Sequence, residues 1–407
     1  MDTISLCLIA PEFLPVWGGT GSYVVELLKY LPEEVEVHVV TLRRQTPDAS
    51  KNVSIKNDPK SVLNRDIDIH YISDAKDTFF YNLGFQFACF REIPKLHKEF
   101  KFDVLHSQFG HMSDILIQLA GKIRVPNVAT VHGTIALLNE VSSKVSSHFS
   151  ELERSERQVR MFYPQLRALE LLYSKYVSQF IAVSKITKYR ILKDLSVDPQ
   201  RVCTVYNGVD PYLFKAPSKE ETEKKYSEPT VVYMGRIMAK KGITVLIRAM
   251  PKILKEKPNV RFVFIGGGSI LFYRDVIRRM KIPEKNFTFL GHLGYFERQE
   301  FLRTATVFVN PSFFELCSLS ILEAMSSGTS VVASDVGGNP EIISSGKNGL
   351  LFSQSDHNEL ADDVIMLVKD ENLGKEIGKQ ARRTVERSFT SEKCAKETYD
   401  IYRRMIQ

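Results

Sequence analysis

The sequence predicts an α/β protein of two doubly wound domains. Three observations carry this. Two stretches about two hundred residues apart each read as strand, turn, helix, strand. Further short apolar runs alternate with helical patterns in both halves. The chain of 407 residues is too long for one ordinary domain.

The first half opens with strand-like ISLCLIA (4–10), followed by a glycine-rich turn, WGGTG (17–21). Helix-patterned SYVVELLKYL (22–31) and strand-like VEVHVVTL (35–42) complete a Rossmann-like βαβ unit. Further buried strands are expected at FDVLHSQF (102–109), NVATVHGT (127–134) and QFIAVSK (179–185).

The second half repeats the plan. TVVYMG (230–235) is a strand, RIMAKKG (236–242) a turn, ITVLIRAMPKIL (243–254) a helix and VRFVFIGGG (260–268) the next strand. FTFLGHL (287–293), ATVFVNPS (305–312) and SVVASDV (330–336) continue it. Gly, Pro and charge interrupt the pattern in NGVDPYLFKAPSKEE (207–221). The expected domains are therefore 1–210 and 211–390, with a last helix, about 391–407, packing back on the first. Open parallel sheets bind ligands beyond the C-terminal ends of their strands, so two such domains face to face make a cleft with two walls.

Composition fits a globular protein, with 43% hydrophobic and 25% charged residues. The net charge of +7 suits anionic small substrates or an acidic membrane surface. No basic block or reading motif accompanies it, so nucleic acid is not an expected partner. Cys7, Cys89, Cys203, Cys317 and Cys394 are scattered without zinc spacing. With no apolar run of about 18 residues, a cytoplasmic location is expected.

The stretch SFFELCSLSILEAMSSG (312–328) holds Glu315 and Glu323 around an apolar helical run. On one helix their offset is about 12 Å of rise and about 80° of turn. Carboxyl pairs that cleave glycosidic bonds stand about 5–5.5 Å or about 6.5–9.5 Å apart. This pair suits gripping two ends of an extended, hydroxyl-rich ligand, because carboxylates only accept hydrogen bonds. Ser318 or Ser320 can cap the helix, leaving N–H groups for a phosphate. Sugar, diphosphate, ribose is the order this offers. A solvated surface helix is the plainer alternative.

Companions strengthen the ligand reading. Arg236 and Lys241 sit in the turn after the second domain's first strand and can neutralise a departing diphosphate. Gly18 and Gly19 bare the backbone at the matching turn of the first domain. His132 ends a buried strand, in reach of a sugar hydroxyl. Each has a plainer role too: solvated cations, a tight turn, a structural histidine.

With these residues the chain resembles retaining glycosyltransferases of the GT-B fold, in glycosyltransferase family 4. The resemblance covers nearly the whole chain. It is most specific at GRIMAKKG (235–242), FIGGG (264–268), FLGHL (289–293), VNPSFFELCSLSILEAMSSGTSVVASDVGGNPEII (309–343) and NGLLF (348–352). The first half matches at PVWGGTGSYVVELLKYL (15–31), TVHGT (130–134), AVSK (182–185) and VYNGVD (205–210).

The resemblance implies that Arg236 and Lys241 bind the diphosphate of a nucleotide-sugar. Glu323 would hold the ribose and Glu315 the donor sugar, with backbone N–H groups of Leu316, Cys317, Ser318 and Leu319 close by. Gly18 and Gly19 would line the diphosphate from the other wall, with Gly19 approaching it, His132 would sit by the transferred sugar, and Gly291 and His292 beside the base. Transfer would retain the anomeric configuration by front-side attack, without an enzyme nucleophile. Cys317 and Ser318 depart from the small, glycine-like pair of many relatives.

The triplet DID (66–68) reads as a strand edge, and neither a cofactor nor an essential metal is expected. The acceptor expected from the resemblance is a hydroxyl of a glycan, a lipid-linked sugar or a small-molecule sugar. FFYNLGFQFACFREIPKLHKEFKF (79–102) reads as a core helix with a basic rim, or as a face for peripheral contact with an anionic membrane. A dinucleotide oxidoreductase is disfavoured: no G-x-G-x-x-G follows a strand, and the second strand ends TLRR instead of in an acid. A sugar-nucleotide epimerase and a non-catalytic nucleotide-sugar binder are the remaining alternatives.

Overall fold

A computed structural model describes residues 3–14, 18–44, 62–63, 65–75, 83–145, 154–294 and 296–407. Trp17 of the glycine-rich turn and residues 79–82 of the aromatic-basic stretch lie outside them. Two compact units form. One comprises residues 1–140, 154–208 and 391–407, the other 141–153 and 209–390.

The first unit holds a parallel sheet of β1 (Ile4–Ile9), β2 (Val35–Arg44), β3 (Asp68–Ala75), β4 (Val104–Gln108), β5 (Asn127–Val131), β6 (Gln179–Ala182) and β7 (Val202–Thr204). Their order is β3-β2-β1-β4-β5-β6-β7. β1, β4 and β5 are buried at every position, as strands covered on both faces must be. Cys7 and Ile9 pack with Val40, Leu42 and the helix Leu83–Phe100 through Phe85, Cys89 and Ile93. A second cluster joins Ala129 and Val131 to Phe180 and to Tyr173 of the helix Tyr163–Tyr176.

The helix after β1 spans Gly19–Tyr30, three residues earlier than the sequence pattern predicts. Gly18 is its N-cap, and its carbonyl accepts from Ser22 N at 3.0 Å. Glycine is a poor helix former, which made GGTG read as loop. First-turn N–H groups need no helical acceptor, so glycines are tolerated there. The helix Ser391–Ile406 belongs to this unit and packs on Gly19–Tyr30. Ser391 Oγ donates to Glu26 Oε2 at 2.6 Å, and Tyr402 Oη meets His106 Nδ1 at 2.5 Å.

The second unit holds β8 (Thr230–Met234), β9 (Arg261–Ile265), β10 (Phe287–Gly291), β11 (Val307–Asn310), β12 (Ser330–Ser334) and β13 (Leu350–Phe352). All pairs are parallel, in the order β10-β9-β8-β11-β12-β13. The helix Ile243–Glu256 buries Ile243, Leu246, Ile247, Met250 and Ile253 against Phe262, Phe264 and Val309. β7 and β13, three residues each, escape the sequence pattern because they are too short to show a period.

In both sheets the strand order reverses beside the first strand, between β1 and β4 and between β8 and β11. Such a switch point opens a crevice where successive connections leave to opposite faces. The turn after β8 carries Arg236 and Lys241, and the loop after β11 carries Glu315.

Candidate active site

The second unit's switch point is built by close backbone packing. Gly242 has φ +66°, and a Cβ there would lie 1.7 Å from Pro311 O, so only glycine lets the 235–242 turn touch the end of β11. Phe313 N donates to Lys240 O at 3.0 Å and joins the two loops. On the other side Gly338 N donates to Glu315 O at 2.9 Å. Gly337, at φ +54°, leaves room for that same carbonyl, which a Cβ would meet at 1.9 Å.

Held in this way, Glu315 gathers donors. Lys241 Nζ and Ser312 Oγ each donate to Glu315 Oε1 at 2.7 Å, and Asn310 Nδ2 reaches it at 3.4 Å. The Glu315 side chain is 11% exposed and that of Lys241 29%, so the pair is partly shielded from water. Ser318 caps the helix Leu319–Ser326, its Oγ accepting from Ile321 N at 3.4 Å. Ser320 Oγ lies 3.1 Å from Ser318 Oγ instead of capping. Leu316, Cys317 and Ser318 are buried between Glu315 and the helix.

Glu323 lies inside that helix, 3% exposed, and pairs with Arg298 of the helix Arg298–Thr304, Nη2 to Oε1 at 2.9 Å. The Arg298 guanidinium also rests 5.7 Å from the Phe214 ring. Arg236 is exposed, and its carbonyl accepts from the buried Tyr233 hydroxyl at 2.8 Å. His292 follows β10 against Gly267, where a Cβ would come within 2.2 Å of its Nε2. Burial lowers the His292 pKa, and the nearby Arg236 charge lowers it further. Gly291, at φ +74°, accepts from Gly266 N at 2.7 Å. Glu315, Lys241, Ser318, Arg236, Gly291 and His292 thus stand at or just beyond strand C-terminal ends, as the sequence led us to expect.

In the first unit, an added Cβ on Gly18 would meet Glu12 Oε2 at 3.0 Å, whereas one on Gly19 would meet nothing within 4 Å. Gly19 is therefore not required by packing within the protein. His132 follows β5, its Nε2 2.9 Å from Gln108 Oε1 and its ring edge-on to Tyr23 at 4.9 Å. Burial drives its pKa down to about 3, with His111 adding to the shift. Behind it runs a buried chain: Tyr23 Oη to Thr130 Oγ1 at 3.1 Å, then His106 Nε2 at 2.8 Å, then Tyr402.

Asp68 of the DID triplet begins β3. With Glu36 and His38 it forms the one group among the described residues able to gather three metal-ligand atoms, within 4.8 Å. It lies at the N-terminal end of β3, away from the strand ends that carry the site. Parallel register creates it, pairing His38 with Asp68, so local spacing could not reveal it. The helix Leu83–Phe100 buries Phe85 and Ile93 and exposes Leu83 and Phe87. No described helix is long and apolar enough to cross a membrane.

Arg298, Asn310 and Ser312 went unrecognised in the sequence. Asn310 and Ser312 had a signal, being polar residues within three positions of the end of the apolar run VFV. Arg298 had none, since its partner lies 25 positions away on another helix.

The family described as glycosyltransferase family 4 matches residues 17–213, and that described as glycosyl transferases group 1 matches residues 214–384. The chain belongs to glycosyltransferase family 4. This glycosyltransferase is 28% identical over 312 residues to an uncharacterized glycosyltransferase of Methanocaldococcus jannaschii, covering 74% of this chain and 75% of the relative. Its fold is that of GT-B enzymes. The structure of sucrose-phosphate synthase from Thermosynechococcus elongatus superposes with TM-score 0.78 at 20% identity, over 98% of each chain. Anabaena HepE in complex with UDP and glucose superposes at 0.74 with 18% identity, over 98% of this chain and 99% of its own.

Proposed function

We propose that this glycosyltransferase moves a hexose from a nucleotide-diphosphate sugar to a hydroxyl of a carbohydrate or lipid-linked acceptor, with retention of anomeric configuration. The observation that carries the reading is the Lys241–Glu315 pair at the switch point of the second sheet. It sets a cation and an acceptor side by side where a sugar diphosphate needs both. Lys241 and Arg236 take the diphosphate, as a point charge and a planar fork. Glu315 accepts from sugar hydroxyls, and the N–H groups from Leu316 to Leu319 face sugar and phosphate. Glu323, held by Arg298, accepts from the ribose hydroxyls. Gly291 and His292 lie beside the base. In the first unit, Gly18, Gly19 and His132 are the candidates for contact with a ligand.

The acceptor oxygen attacks the anomeric carbon from the face that the diphosphate leaves. The carbon–oxygen bond to phosphate breaks as the new glycosidic bond forms, and the departing phosphate oxygen takes the acceptor proton. The cations stabilise charge that grows on the leaving group, which is the effect that lowers the barrier. They supply what a divalent ion would, so no metal is required. His132 is neutral at physiological pH, because its pKa lies far below 7. It serves as a hydrogen-bonding group, not as a cation.

None of the five cysteines forms a disulfide among the described residues, which supports a reducing, cytoplasmic setting. HepE is bound to UDP and glucose, which puts UDP-sugars first in a donor screen. The test is thermal shift with UDP-, GDP- and ADP-sugars, followed by mass analysis of products with candidate acceptors. A stabilising donor and a product heavier by one hexose support the reading. Stabilisation by no nucleotide-sugar overturns it.

A further inference from the structure

The second unit carries a cavity of about 370 Å³ that the transfer reaction does not use. It is lined by Lys225, Lys375, Lys379, Arg382 and Arg383, against one carboxylate, Glu386. Four of these cations and Glu386 come from one face of the helix Glu371–Ser388, at helical spacing. The fifth, Lys225, comes from the helix Lys219–Ser227. Gly328, on the floor, precedes β12. Lys225 precedes β8, and Thr306 Oγ1, just before β11, donates to its carbonyl at 2.5 Å. The cavity therefore sits at the N-terminal edge of the sheet, opposite the switch point.

Lys225 is the telling residue. It is 5% exposed, yet its ammonium has no carboxylate or hydrogen-bond acceptor among the described residues. It stands 5.6 Å from the centroid of the Tyr226 ring. A lysine so largely buried, with its ammonium at a cavity wall and no carboxylate beside it, favours an anion that completes it. Glu386 is engaged by Arg382 at 2.8 Å, and Lys375 is paired with Glu371. Lys379 and Arg383 have no ion partner among the described residues. The excess positive charge thus faces the cavity.

We propose that this cavity is a second anion site, for a phosphorylated small molecule of sugar-phosphate size, and that it controls the helix carrying Glu323. Arg382 provides the link. Its Nη1 donates to Ser326 O at 2.5 Å and to Phe214 O at 3.0 Å, gripping the C-terminal end of the helix Leu319–Ser326. Gly378 packs against Gly328 O, where a Cβ would come within 2.3 Å. An anion drawn to the helix Glu371–Ser388 tightens its hold on the far end of the Glu323 helix.

The test uses glucose 6-phosphate and inorganic phosphate as probes, by calorimetry, on the whole protein without nucleotide-sugar. Glucose 6-phosphate should bind the wild type and Arg236→Ala alike. Binding should weaken roughly tenfold or more in Lys225→Met and in Lys379→Glu/Arg383→Glu, since each change removes charge-assisted hydrogen bonds. Lys225→Met should also melt at a higher temperature, which a purely structural lysine would not allow. Hydrogen exchange in residues 319–328 should slow when glucose 6-phosphate binds. Inorganic phosphate binding as tightly as glucose 6-phosphate would remove the sugar from the proposal. Absence of binding, binding lost in Arg236→Ala but kept in Lys225→Met, or unchanged exchange in 319–328 would overturn it.

Discussion

Lys241 Nζ stands 2.7 Å from Glu315 Oε1, joining residues 74 positions apart across the switch point of the second sheet. Each fixes the other beside the ends of β8 and β11, so neither side chain is a free-swinging surface charge. Partly buried ion pairs of this kind are ordered by their surroundings, here Ser312, Asn310 and the glycines that let the loops meet.

Arg236→Ala and Lys241→Ala are expected to leave a folded protein with transfer reduced roughly a hundredfold or more, because a donor aimed at developing charge is worth that much. Steady-state rates and circular dichroism of the purified variants check this. Near-wild-type rates in both would contradict the phosphate assignment.

Glu323→Ala should raise the Michaelis constant for donor, and Glu315→Ala should lower turnover. A ribose contact changes little between ground and transition states, whereas a contact to the sugar becoming cationic changes much. Arg298→Ala should resemble Glu323→Ala kinetically. It should also destabilise the fold by up to about 3 kcal/mol, because a buried carboxylate loses its partner. Donor kinetics unchanged in Arg298→Ala would show that the pair is structural only.

Activity should persist in excess EDTA, since the two cations can carry the leaving-group charge. Complete loss, restored by magnesium, would contradict this. Zinc added back without effect would separate the Glu36–His38–Asp68 group from the reaction.

Stability should fall with acid over a defined window. His106 and His132 have folded pKa values near 3, set by burial first, against an ordinary 6.5. Depressed bases add stability that is fully present above 6.5 and is lost as pH falls toward 3. Each contributes a slope of about 1.4 kcal/mol per pH unit once protonated in the unfolded chain. His70, His97 and His292 shift in the same direction. Urea unfolding at pH 7 and pH 5 measures it, and equal stability at the two would show that these histidines are not held neutral.

Much of this architecture was legible because buried parallel strands are continuous apolar runs. ISLCLI and SVVAS could hardly be anything else. Glu315, Arg236 and Lys241 were legible because strand-end turns are where such sheets bind anions. What the sequence hid was pairing. Nothing local announces that Lys241 meets Glu315, that Arg298 meets Glu323, or that His106 links Tyr402 to Thr130. The early start at Gly19 was hidden for a different reason: propensity disfavours glycine in a helix, while the first turn forgives it.

The central claim is that one nucleotide-sugar lies along the loops and helix from Lys241 and Glu315 to Glu323. Calorimetric titration of the nucleotide-sugar identified by the donor screen, into wild type, Lys241→Ala and Glu323→Ala, tests it most directly. The account predicts measurable binding to wild type and an affinity loss of roughly tenfold or more in each variant, the worth of a charge-assisted contact. Wild-type affinity in both variants would place the ligand elsewhere and contradict the account.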